Sequence, residues 1–299
     1  MVRISFPAIA LLAGLLSSQI LAPSSSSALV PEFSSPRELR TVLANGHLKS
    51  IRVVSWNIER GEELNIISSE LEQNWADLCL LQEVDWNTNR TGRADVGAEL
   101  AKRLHLNMSY AIEFEELGQE RGNQAFIGQA TLTRLPIRKS RILRFQVQSS
   151  FWKPRTWIPS SIPLMQRRLG SRIALVNELE FGGRLLVVYN VHLESRSMGR
   201  IQYEQLDEIL ADLKKYPSDT PAIIGGDLNT KYFPSIFLKK LEQEGFQSAL
   251  GERIERTHTI VMALDWIFAK GPVKLEAGKV RKDLKGSDHY PIYAKLAAE

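Results

Sequence analysis

Apolar and polar positions alternate along the chain in two rhythms. Short runs rich in branched and aromatic residues, "IRVVSWNI", "DLCLLQE", "RLLVVYNVHL", "PAIIGGD", "ALDWIFAK" and "YPIYAKL", each lie close to a Gly, Pro or Asp and predict strands. Between them apolar residues recur at helical spacing: Leu64, Ile67, Leu71 and Trp75, then Val96, Leu100 and Leu104, then Leu206, Ile209, Leu210 and Leu213. Pro234 near the start and Gly245 past the end of "SIFLKKLEQE" bracket a further helix. Strands this continuously apolar need cover, and the helices between them supply it. The pattern predicts an α/β layered fold.

No stretch from Ile51 to Leu296 is poor enough in apolar residues to be a linker, and no repeat is visible, so residues 51–299 read as one domain. Residues 29–50 read as a linker with a short helix, because Ser34 or Ser35 can cap a segment containing Leu39, Val42 and Leu43. Residues 1–28 differ: Arg3 precedes an apolar run from Ile4 to Leu16, and "SSQILAPSSSSA" follows with small residues at Ser26 and Ala28. That is the layout of a secretory signal peptide. The run is shorter than the ~20 residues that span a bilayer. A secreted or periplasmic protein is therefore expected, with an uncleaved N-terminal membrane anchor as the alternative.

Composition adds little to this picture. Hydrophobic content of 43% and charged content of 24% are ordinary for a globular chain and exclude disordered and membrane-embedded classes. A net charge of +4 is mildly basic and suits encounter with an anionic partner. The single cysteine, Cys79 in "LCLL", reads as a buried thiol, so no intrachain disulfide forms and a monomer must be held by its core.

The strand ends are where chemistry is expected. Asn57 follows a buried run in "VVSWNIERG", and Glu83 stands in the same place in "LLQEVD". His192 shares a strand face with Asn190 in "YNVHLES", as Asp227 does with Asn229 in "GGDLNT". Asp265 interrupts "ALDWIFA", and Asp288 with His289 stands in "GSDHYPI". Burying so many polar groups without partners would cost several kcal/mol each, so they must face a cleft, pair with one another or bind an ion. Oxygen donors from Glu, Asp and Asn suit a hard cation, Mg²⁺ or Mn²⁺. Two histidines without a Cys partner or a zinc-protease helix argue against zinc. They suit proton transfer or steadying phosphoryl charge instead, with Asp265 a candidate to orient a ring. Cation, carboxylate and imidazoles together describe hydrolysis of a phosphate ester.

The order and wording of "WNIERG", "LLQEVD", "YNVHLES", "GGDLNT", "LDWIF" and "SDHYPI" resemble the endonuclease/exonuclease/phosphatase superfamily over about Ile51 to Leu296. That superfamily includes DNase I-like nucleases, abasic-site endonucleases, inositol-polyphosphate phosphatases, neutral sphingomyelinases and 5′-tyrosyl-DNA phosphodiesterases. The resemblance implies a four-layer α/β sandwich, two central and mostly antiparallel sheets flanked by helices, with the active site at one end. It implies Asn57, Glu83 and Asp288 as metal ligands. Asp227 would orient or deprotonate water, with Asn229 its phosphate-contacting partner. His192 would contact the phosphate or leaving group, and His289, held by Asp265, would stabilise the transition state or share the role of base. Gly225 and Gly226 would leave room for the phosphate. A carboxylate partner for His192 is also expected, and Glu120, Gln124 and Gln129 are the candidates.

Asp85 stands where abasic-site enzymes carry Lys, and Glu59 and Arg60 depart from them too, whereas "SDHYPI" is close to DNase I wording. Nucleic acid is thus the leading substrate expectation. A phospholipid phosphodiesterase, an inositol-phosphate phosphatase and a catalytically decayed binding module are the alternatives. Arg196 follows "HLES" as in the tyrosyl-DNA enzymes, and Arg90 and Arg93 follow Glu83, so all three are candidate substrate-phosphate contacts. Between Phe145 and Arg172, Trp152, Trp157, Lys153, Arg155, Arg167, Arg168 and Arg172 suit base stacking with phosphate neutralisation, or a lipid headgroup surface, or a solvated loop.

Overall fold

Each β-branched run becomes a strand, and the central strands are covered on both faces. A computed structural model describes residues 33–117, 124–153, 155, 157 and 168–299. Eight of the described strands form one sheet: β1 (Arg37–Leu39), β2 (Ser50–Arg60), β3 (Leu78–Trp86), β4 (Asn107–Glu115), β5 (Phe126–Thr133), β7 (Leu169–Gly170), β13 (Val273–Val280) and β14 (Ile292–Ala298). Six form the other: β6 (Ile137–Arg144), β8 (Ile173–Phe181), β9 (Arg184–His192), β10 (Ala222–Asp227), β11 (Gln247–Ser248) and β12 (Asp265–Lys270). The order is β1-β4-β5-β3-β2-β14-β13 in the first, with β7 beside β4, and β11-β12-β10-β9-β8-β6 in the second.

Helices α1 (Leu64–Gln73), α2 (Val96–Arg103) and α3 (Arg200–Leu213) fall on the segments whose apolar spacing predicted them, and α4 (Pro234–Gln243) on the one bracketed by Pro234 and Gly245. Alternate strand residues divide between two cores. Val53, Leu78 and Leu80 join Val188, Ile223 and Ile267 between the sheets, while Val54, Trp56, Cys79 and Leu81 pack with Ile67 and Leu100 under α1 and α2. Leu206, Ile209 and Leu213 of α3 cover the far face of the second sheet. The result is the expected α/β sandwich, with Cys79 buried and free.

Each sheet is antiparallel except at one pair. β2 and β3 run parallel around the α1 crossover, and β9 and β10 run parallel around α3. The carboxyl ends of parallel strands are where α/β sheets gather ligands. Asn57 and Glu83 stand at those ends in one sheet, and His192 and Asp227 in the other.

Two expectations are corrected here, and one polar strand residue proves to be paired inside the fold. The short helix expected within residues 29–50 is replaced by β1, which pairs with β4; Arg37 anchors it through Asp95 at 2.6 Å and lies 3.9 Å over the Trp86 ring. Gly225 and Gly226 serve packing rather than phosphate clearance: a methyl at Gly225 would press on Leu80 of the opposite sheet, and one at Gly226 would overlap the Val191 carbonyl oxygen. Asn190 does not reach the cleft. Its side chain accepts from Gln82 Nε2 at 2.7 Å and donates to the Leu81 and Ala130 carbonyls, bolting the sheets together through buried hydrogen bonds. The stretch 1–28 lies outside the described residues.

Candidate active site

Strand pairing lines up the centre. His192 on β9 is opposite Asp227 on β10, which is opposite Asp265 on β12, so three ionisable side chains lie in one row across adjacent strands. Asn57 reaches across from the other sheet and donates from Nδ2 to Asp227 Oδ2 at 3.2 Å. The backbone N–H of Asn229, itself left-handed at φ 50°, donates to Asp227 Oδ1 at 2.9 Å. His192 Nε2 and His289 Nε2 stand 3.6 and 3.8 Å from Asp227 Oδ2. One carboxylate thus collects two amide donors and faces two imidazoles, all nearly buried.

His289 is held from behind by Asp265, with Nδ1 2.8 Å from Oδ2. Burial opposes a charge on this ring, but Asp265, then Asp227 and Asp288, outweigh it and raise its pKa from 6.5 to about 10. The native state therefore keeps a proton that the unfolded chain releases near 6.5. This stabilisation is complete below about pH 6.5 and is lost as pH rises through about 10. In EDTA, denaturant midpoints are expected to fall across that window, and His289→Gln to flatten the fall. An equal slope in both proteins would refute the assignment.

The cation side is built from oxygen. Glu83 is left-handed at φ 52°, which turns its half-buried carboxylate out of the strand alternation. Burial would raise its pKa, yet His192, Arg168, Arg60 and His289 hold it at about 2. Glu59 ties this side together: its N–H donates to Asn57 Oδ1 at 3.1 Å, and its carboxylate accepts from the Asp288 N–H at 2.9 Å. Ser287 Oγ donates to the Asn57 carbonyl at 2.7 Å. Ionised Glu83, Asp288 and the Asn57 side-chain oxygen are hard oxygen donors of the kind that Mg²⁺ or Mn²⁺ takes. Among the described residues the groups of three His, Asp or Glu side chains with ligand atoms within 4.8 Å of one another are His258, Asp288 and His289, and Asp227, Asp265 and His289. Glu83 joins neither.

The partner of His192 is Glu113 on β4, which none of the expected candidates supplies. Glu113 Oε2 lies 3.4 Å from His192 Nδ1, and its Oε1 accepts from Arg172 Nη1 at 2.6 Å. Burial would raise the Glu113 carboxyl, but Arg172 and His192 hold it below the usual range. Gln129 is committed to Ile173 and Leu175, Gln124 is exposed, and Glu120 lies outside the described residues. The sequence signal for Glu113 was a single acid between Ile112 and Phe114 in an apolar strand. Arg172, expected among substrate-facing cations, is instead buried beneath the site.

Of the three candidate phosphate contacts, Arg90 is spent structurally. It grips the buried Asp85 with Nε and Nη2 at 2.6 and 2.7 Å. Arg93 is exposed in the same turn with φ 63°. Arg196 is exposed and lies 4.4 Å over Phe151, beside Trp152, whose indole N–H donates to Glu194 at 3.0 Å. Lys231 joins it at the rim: its Nζ donates to the Ser195 carbonyl at 2.9 Å, and it feels the charges of both Asp227 and Arg196. Trp157 is 71% exposed, while Arg167 lies outside the described residues.

No curated protein matches the chain significantly by sequence. Solved structures share the fold. An endonuclease/exonuclease/phosphatase from Bacteroides vulgatus is 14% identical with a TM-score of 0.61, covering 84% of this chain and 99% of its own. One from Beutenbergia cavernae is 17% identical with a TM-score of 0.59, covering 84% and 72%. TDP2 from C. elegans is 20% identical with a TM-score of 0.53, covering 83% and 75%. The model of the Endonuclease/Exonuclease/phosphatase family matches residues 54–289, a span that contains Asn57, Glu83, Glu113, His192, Asp227, Asp265 and His289. By that match the chain belongs to the endonuclease/exonuclease/phosphatase family.

Proposed function

We propose that the protein is an exported, divalent-metal-dependent phosphodiesterase whose substrate is nucleic acid. The observation that carries this reading is the convergence of Asn57, His192, His289 and the Asn229 N–H on Asp227, beside the ionised Glu83. Asp227 orients a water for in-line attack and takes its proton. Asn57 and the Asn229 N–H keep the carboxylate aimed. His289, kept protonated by Asp265, donates to a phosphoryl oxygen as its charge grows. His192, backed by Glu113, stands on the opposite flank of Asp227 and faces the phosphate or the leaving oxygen. Glu83, Asp288 and the Asn57 side-chain oxygen would hold Mg²⁺ or Mn²⁺, which supplies charge neutralisation at the phosphate when bound. Arg196 over Phe151, with Lys231, offers a cationic and aromatic rim suited to a nucleotide strand. Export rests on the pattern of residues 1–28.

A second reading has its own support. Met198, Tyr232 and Phe233, on the loops that leave His192 and Asp227, line one exposed apolar groove together with Ile236 of α4; Met198 is 70% and Phe233 68% exposed. Such a patch beside a phosphodiesterase centre fits a lipid surface. Both readings are separated by incubating the purified protein with DNA, RNA, sphingomyelin or phosphatidylcholine vesicles, and inositol phosphates. Cleavage of DNA or RNA in Mg²⁺ or Mn²⁺, abolished by EDTA, is the expected result. Cleavage of vesicles alone would favour the lipid reading, and no cleavage of any substrate in either metal would refute the enzyme.

A further inference from the structure

We propose that His258 is a positioning residue for Asp288, donating a hydrogen bond from Nε2 to one carboxylate oxygen and leaving the other for a cation. The inference rests on the reading of Asp288 as a metal ligand. His258 lies in the loop before β12, outside every motif of the sequence. Its Nε2 is 3.2 Å from Asp288 Oδ2, and its ring stands edge-on to His289 with centroids 4.5 Å apart.

The backbone decides what this ring does. The Ile260 N–H donates to His258 Nδ1 at 2.9 Å, so the Nδ1 lone pair is occupied. A neutral imidazole carries one N–H, which must then sit on Nε2 and point at Asp288. That proton leaves Nε2 no lone pair for a metal. His258, Asp288 and His289 are close enough to share an ion, yet the Ile260 N–H makes His258 a donor and excludes it as a ligand. Asp288 Oδ1 is the less engaged oxygen, with only the Ser287 hydroxyl at 3.5 Å. A cation would therefore meet oxygen from Asp288 and no nitrogen from His258, which keeps this side of the centre suited to Mg²⁺ or Mn²⁺.

The loop is anchored to hold this geometry. The Thr259 N–H donates to the Asp288 carbonyl at 2.8 Å, and the Tyr290 N–H to the Thr257 carbonyl at 2.7 Å, so His258 and His289 face each other across a short antiparallel bridge. Arg256 clamps both sides, donating to the His258 carbonyl at 2.8 Å and to Tyr290 Oη at 2.9 Å. Hydrogen-bond partners of metal ligands orient the ligand, and their loss costs about 10–100-fold in metal affinity.

Two measurements test this. In metal-free, ¹⁵N-labelled full-length protein at neutral pH, long-range ¹H–¹⁵N correlation is expected to show His258 as the Nε2–H tautomer. An Nδ1–H tautomer or a doubly protonated ring would overturn the proposal. By titration calorimetry with Mg²⁺ and Mn²⁺, His258→Ala is expected to bind about 10–100-fold more weakly than the parent, with part of the loss recovered in His258→Gln. Adding His258→Ala to Asp288→Asn should change nothing further. Unchanged affinity in a folded His258→Ala protein, while Asp288→Asn loses binding, would overturn the role of His258 alone. Undiminished binding in Asp288→Asn would overturn the reading of Asp288 as a ligand, with the tautomer still deciding the hydrogen bond.

Discussion

Asp227→Asn is expected to lower turnover by at least about 10², the range for removal of a general base, although it changes no heavy-atom shape. The reason is the direction of the surrounding hydrogen bonds. Asp227 Oδ1 accepts from the Asn229 N–H and Oδ2 from Asn57 Nδ2, with two imidazole nitrogens facing the same oxygen. An amide placed there must set its NH₂ against one of those donors whichever way it turns. It loses the base and the aim together. Steady-state rates at saturating Mg²⁺, with folding checked by denaturant melts, measure the effect. Near-normal turnover would remove Asp227 from the mechanism.

Glu113→Gln is expected to cost about 3–5 kcal/mol of stability, as breaking a buried ion pair from one side does. Arg172 and Glu113 are almost fully buried, and the pair is closed at 2.6 Å. Neutralising the acid leaves a guanidinium in the interior with Ser195 Oγ at 3.3 Å, aromatic faces and the unbonded charges of Glu194 and Glu83 as its other company. Urea denaturation checks the size, and a loss under about 1 kcal/mol would show that the pair is incidental. The double variant Glu113→Gln/Arg172→Met removes the stranded charge and is expected to recover much of the stability. Its turnover should stay low, because His192 still lacks the carboxylate behind its Nδ1.

Most of the framework could be read from the chain because the central strands are covered on both faces and the helices are amphipathic. Both signals are local, as are the polar strand ends that announced Asn57, His192, Asp227 and His289. What escaped depends on partners distant in sequence or on loops without periodicity. Glu113 had no motif to mark it, because its role depends on Arg172, 59 positions on, coming beneath it. Arg90 looked available to a substrate because nothing in its turn marked Asp85, five positions back, as buried. His258 belongs to a loop whose shape is set by backbone bonds to residues near Asp288. The expected helix near Leu39 failed because pairing with β4 and the Arg37–Asp95 contact outweigh a weak apolar spacing.

The Gln82–Asn190 bolt bears on how such a protein diversifies. Asn57 and Glu83 come from one sheet and His192 and Asp227 from the other, so the candidate centre exists only while the sheets keep one relative alignment. Greasy faces alone would tolerate sliding. Directional bonds from Asn190 to Gln82, Leu81 and Ala130 do not. Alignment is thereby enforced from the interior, and the loops at the rim carry little of that duty. Lineages can then exchange rim loops, and with them substrates, while inheriting the same chemical centre.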